Sequence, residues 1–118
     1  MAEPTNEKPL QDMAINEKEL EVDGYKFKVD TDLLDDVDAF KLINKIENDN
    51  QITAVVPLMD YLIGADEFNK MKQYFVDKDA EAHKGVKLAN GKKYHPRLRL
   101  AKLGEIYQEI IKNFDPKD

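Results

Sequence analysis

Residues 51–79 read QITAVVPLMDYLIGADEFNKMKQYFVDKD and carry the clearest hydrophobic pattern in the chain. Ile52, Val55, Val56, Met59, Leu62 and Ile63 fall at the spacing that gathers side chains on one face of a 3.6-residue helix, so that face must be buried. Gly64 then supplies a residue that takes positive φ at a helix end, and Asp66 stands where a carboxylate caps the amides of a second helix through Phe68, Met71 and Phe75. Pro57 lacks an amide hydrogen and its ring opposes the carbonyl four residues back, which predicts a short helix from Gln51 and a second from Pro57. Leu58, Tyr61 and Tyr74 lie off the main stripes of these helices and are candidate partner contacts, or self-association contacts, if they cluster at the surface.

On the N-terminal side, Leu20 and Val22 alternate with glutamates, Asp23-Gly24 follows, and Tyr25, Phe27 and Val29 alternate with lysines. Asp-Gly suits a type I′ turn, so residues 19–29 predict a β-hairpin. Lys26 and Lys28 then oppose Glu19 and Glu21, pairs worth about 0.2–1 kcal/mol each. An isolated hairpin does not persist in water, so its apolar face has to pack on helices. Thr31 is the expected cap of a helix carrying Leu33, Leu34, Val37, Phe40, Ile43 and Ile46, ended by Asn48-Asp49-Asn50. Asp35, Asp36 and Asp38 crowd its start, where acids complement the helix dipole and radiate around the axis rather than converge on a metal.

On the C-terminal side, Ala80 to Pro96 shows neither helical nor alternating period and predicts an exposed loop with a small hairpin about Asn90-Gly91. Between Lys84 and Arg99 stand six positive charges and no acid, including both arginines of the chain. With a net charge of −6 over 118 residues, the rest of the chain carries −12. Such a strip suits a phosphate backbone, a carboxylate-bearing surface, or a return onto its own acidic domain, and the net field argues against nucleic acid. Lys92, Lys93, Arg97 and Arg99 are the candidate contacts there. From Arg97 a last helix places Leu100, Leu103, Ile106, Tyr107, Ile110, Ile111 and Phe114 on one face, and Pro116 closes it.

The architecture expected is therefore mainly α (α+β), a single domain over 18–118 of four to five helices with an N-terminal hairpin, behind a leader at 1–17 without sustained period. Cysteine is absent, which removes disulfides, thiolate metal sites and a cysteine nucleophile. Asp77, Asp79 and Glu81 begin like a calcium loop, but Ala82 replaces its glycine and Leu88 its bidentate glutamate. His83 and His95 lack ligand spacing, and no nucleophile elbow or phosphate loop is present, so no catalytic residue, cofactor or metal is expected. No apolar run approaches the roughly 18 residues of a membrane span, and no signal-peptide pattern opens the chain.

The order of Tyr25-Lys-Phe-Lys-Val29, the acidic start Asp35-Asp36 with its apolar helix, Pro57-Leu-Met-Asp-Tyr-Leu-Ile-Gly64, Asp66-Glu-Phe-Asn-Lys-Met-Lys-Gln-Tyr74 and a closing amphipathic helix resembles the tail assembly chaperones of long-tailed bacteriophages and prophages of Gram-positive bacteria. The resemblance spans about Glu19 to Phe114 and is broken by Ala80 to Arg99, which is longer and more basic than the family's turn. It implies a non-enzymatic protein of the bacterial cytoplasm that binds the tape measure protein, keeps it soluble, helps recruit tail tube subunits and is absent from the finished virion. A different class, an acidic regulatory or inhibitory protein that binds protein or mimics nucleic acid, is the alternative that the −12 body suggests.

Overall fold

The computed structural model describes residues 17–114. The expected leader, apart from Glu17, and the closing Pro116 lie outside the described residues. Strands β1 (Glu17–Val22) and β2 (Tyr25–Asp30) form an antiparallel pair in which Glu19 faces Lys28 and Glu21 faces Lys26. Asp23 at φ 49° and Gly24 at φ 90° make the turn between them, the left-handed geometry that Asp-Gly allows. Helices α1 (Val37–Asn48), α2 (Val55–Ile63), α3 (Ala65–Ala82) and α4 (Leu100–Lys112) follow, with 3₁₀ turns at Thr31–Leu34 and Ile52–Ala54.

Helix α2 is the centre. Val55, Leu58 and Met59 are wholly buried, and α1, α3, α4 and β2 all pack against this nine-residue helix. The hairpin lays Leu20, Val22, Phe27 and Val29 onto the same core, β1 meeting α4 and β2 meeting α2. Lys18 Nζ donates to the carbonyl of Asn113 at 3.2 Å, so a side chain of β1 satisfies a carbonyl just past the end of α4. One contiguous apolar cluster joins hairpin and helices, with Ile106 and Ile110 of α4 fully covered.

Several local expectations are corrected. Thr31 is not a cap: it is 3% exposed and opens the 3₁₀ turn, while Asp30 accepts from the Asp32 amide at 3.0 Å. Helix α1 starts later, capped by the Asp36 carboxylate, which accepts from the amides of Asp38 and Ala39 at 2.9 and 3.3 Å. A cap needs extended backbone with the following amides free, and Asp36 has it at φ −145°, ψ 144°. Asp66 does not cap α3 either; Gly64, at φ 91° and ψ 149°, is the junction residue and Asp66 lies in the first turn. Pro57 sits third in α2, which begins at Val55, so its missing amide hydrogen still falls among those a first turn leaves unpaired. Leu58 belongs to the core, and Leu100, placed on the buried face of α4, is 60% exposed.

Truncating Met59, wholly buried in α2, to alanine opens a cavity in the core and is expected to cost about 2–5 kcal/mol, read as a lower midpoint in urea unfolding. Gly24→Ala is expected to cost at least about 1–2 kcal/mol by the same measurement, because φ 90° disfavours any Cβ. That Cβ would also stand 2.7 Å from the Tyr74 hydroxyl, which donates to the Asp23 carbonyl.

A candidate partner-binding groove

Helix α1 buries only one of its faces. Ala39 and Ile46 enter the core and Leu42 and Ile43 pack at its edge, whereas Val37 is 70% exposed and Phe40 65%. The reason is angular. At about 100° per residue, Val37 and Phe40 stand roughly 160° and 100° around the axis from Ala39. They cannot share its burial, although the sequence counts them among the apolar residues that the helix carries.

What they do instead is wall a groove. A cavity of about 770 Å³ runs between α1 and the C-terminal end of α4, with Leu34 and Ile43 on one side and Tyr107, Ile111 and Phe114 on the other. Its polar lining is Asp35, Asp36, Lys41 and Glu47, three acids against one base. The Tyr107 hydroxyl donates to Glu47 Oε2 at 2.5 Å, fixing the two helices across the groove. Burial first, then that carboxylate, hold the Tyr107 hydroxyl far above the ordinary phenol range. An apolar floor with an acidic edge and exposed aromatic and branched side chains is suited to an amphipathic segment with basic flanks.

The residues singled out in the sequence are not gathered here. Tyr61 is 41% exposed on α2, its hydroxyl held up by its surroundings and then by the nearby Asp36 carboxylate. Tyr74, half-buried, packs against Tyr25 and Phe75, ring centroids 5.1 Å away in each case, and its hydroxyl donates to the hairpin turn at the Asp23 carbonyl. The basic residues lie on the connection between α3 and α4, where Lys92 and Lys93 are exposed.

That connection is ordered about one carboxylate. Helix α3 runs on to Ala82, past the point where the apolar period stops, and brings Asp79 under the loop. Asp79 Oδ2 accepts from the Tyr94 hydroxyl at 2.6 Å and from the Arg97 amide at 3.1 Å, and the His83 ring lies 3.3 Å from Oδ1. His83 and Tyr94 stack at 4.0 Å, Arg97 lies over the Tyr94 ring, and Arg99 Nη1 donates to the Tyr94 hydroxyl at 2.9 Å. The Tyr94 hydrogen bond is the main reason the Asp79 carboxyl sits below its usual range. The loop does turn back toward its own acidic body. Beyond the clasp, Lys87 and Lys93 pair as an antiparallel bridge about Asn90-Gly91, the small hairpin expected there.

Asp77, Asp79 and Glu81 are helical, Asp77 accepting from Gln73 and Asp79 from Tyr94, and among the described residues no group of three or more histidines, cysteines or carboxylates is placed to hold a metal ion. No helix among the described residues is long and apolar enough to cross a membrane. A second cavity, of about 260 Å³, lies beside the clasp, where Lys78 and Lys102 are already engaged by Asp23. No protein-family model, characterised protein or solved structure matches the chain.

Because the carboxyl of Asp79 is lowered in the fold, its contribution is full above the ordinary carboxylate pKa of about 4 and fades as pH falls through the lower folded value. Asp79→Ala at neutral pH is expected to speed hydrogen exchange of the Arg97 amide by roughly tenfold or more while leaving the α2 amides unchanged. The unaltered protein taken to acid is expected to loosen the same amide first.

Proposed function

We propose that this protein is a non-enzymatic binding module, a tail assembly chaperone of a bacteriophage or prophage that docks an apolar, helix-prone segment of the tape measure protein. The order of hairpin, acidic helix start, Pro57–Gly64 helix and closing amphipathic helix supports the family reading. The observation that carries the binding mode is the groove between α1 and α4, with Val37 and Phe40 raised from an apolar floor and Asp35, Asp36 and Glu47 at its edge. An amphipathic helix laid along such a groove buries its apolar stripe, and basic flanks meet the acids, which hastens encounter and fixes register. Covered in this way, the tape measure chain stays soluble in the host cytoplasm. The chaperone then helps bring tail tube subunits and leaves before the virion is complete.

Co-expression with the tape measure protein of the same gene cluster is expected to give a soluble complex. Phe40→Asp is expected to lower its affinity by tenfold or more while the circular dichroism of the free chaperone is kept, because Phe40 contributes little to the core. Neither a complex nor improved solubility with the unaltered chain would end this reading.

A further inference from the structure

The start of β1 is tied to both walls of the groove. Glu17 pairs with Asp30, and the 3₁₀ turn Thr31–Leu34 carries the chain on from Asp30 to the wall at Leu34. Its neighbour Lys18 donates to the carbonyl of Asn113, the residue before Phe114 on the opposite wall. The segment that precedes β1 therefore joins the fold at the mouth of the groove. That segment, residues 1–16, carries Leu10, Met13 and Ile15 close before this point. At no more than about 3.5 Å per residue, Ile15 reaches about 7 Å from Glu17 and Leu10 about 25 Å. The wall from Val37 to Glu47 is about 15 Å of helix, so the three side chains span it.

We infer that residues 8–16 seat Leu10, Met13 and Ile15 in the α1/α4 groove of their own chain, an internal occupant that a tape measure segment has to displace. Attachment selects this occupant. A tether of a few residues holds its ligand at an effective concentration on the order of millimolar, so a weak apolar contact is enough to cover Val37 and Phe40. Among the described residues the other exposed large apolar side chains are Tyr61 on α2 and Val86, Leu88 and Leu100, which lie at or before the N-terminal end of α4, about 18 Å along that helix from where the segment joins. Charge contributes little, since residues 8–16 hold one base, Lys8, and one acid, Asp12. The internal contact is therefore apolar and insensitive to salt, whereas a segment with basic flanks gains from the acidic edge and loses that gain as salt rises. The consequence is selection: the groove opens only to a ligand that outcompetes the tethered segment. The inference rests on the reading of the groove as a docking surface, and adds its regulation.

A nitroxide on the full chain tests it. The sequence has no cysteine, so Gln11→Cys gives one attachment point outside the core. The methyl signals of Val37, Ile43 and Ile111 are expected to lose most of their intensity by paramagnetic relaxation, at low and at high salt alike, while those of Val86 and Leu88 keep theirs. Adding Leu10→Ser and Met13→Ser to the labelled chain is expected to restore the groove signals. The same two serines in the unlabelled chain are expected to tighten binding of the tape measure segment by about tenfold, because a groove covered nine-tenths of the time binds tenfold more weakly than an open one. Groove signals that ignore the label, a loss that appears equally when labelled chains are mixed with unlabelled, isotope-enriched ones, or a tape measure affinity unchanged by the serines would overturn the proposal. If no tape measure segment binds at all, the functional reading falls and the label alone decides this inference; if the segment binds while the label leaves the groove untouched, only this inference falls.

Discussion

Everything in this fold answers to the dehydration of α2. A nine-residue helix of sequence VVPLMDYLI is too short to hold itself together in water and too apolar to face it, so it exists only where other elements cover it. Val55, Leu58 and Met59 lie at its buried centre, and the hairpin, α1, α3 and α4 are arranged as its lining. Gly64 makes this possible by turning the chain sharply at φ 91°, so that α3 leaves at once and returns Phe68, Met71 and Phe75 to the same core. A hairpin too small to stand alone gains its stability from the same surface.

Covering α2 takes only part of α1. The stripe that reaches the core is Ala39, Leu42, Ile43 and Ile46, and the remaining apolar residues, Val37 and Phe40, stay in water. Together with Tyr107 and Ile111 of α4 and Phe114 just past its end they form a surface that the described residues leave open. The acids at the start of α1 have a double effect. Asp36 closes the helix end through its side chain, and Asp35 and Asp36 together give the groove its negative edge. A local requirement of helix termination therefore sets the electrostatic character of the surface beside it.

The basic connection shows how a segment without sequence period becomes ordered. One carboxylate on the last turn of α3 gathers a hydroxyl, an amide and a histidine ring, and two arginines settle around the same tyrosine. Polar groups converging on a charge do here what apolar burial does in the core. The clasp positions the loop while leaving the lysines of its hairpin exposed.

By itself the sequence determined the type and order of the elements: period two around Asp23-Gly24 for the hairpin, the Ile52 to Ile63 stripe with its glycine for the paired helices, and the Leu103 to Ile110 stripe for the last. These signals are local, because strand and helix periods and turn residues act over a few positions. Within them lay a clue to the groove, since apolar residues spaced strictly by three, from Leu34 through Val37, Phe40 and Ile43 to Ile46, slip about 60° at each step and cannot share one helical face. Which of them stay dry was decided by where α2 and α4 lie, as was the fate of Leu58, Tyr74 and Leu100. The Asp79 clasp was also a tertiary outcome, because a carboxylate finds a hydroxyl fifteen residues away only after the chain between them has turned back. Periodicity along a chain fixes which side chains point together; only the packing of several elements fixes which of those faces is left without water.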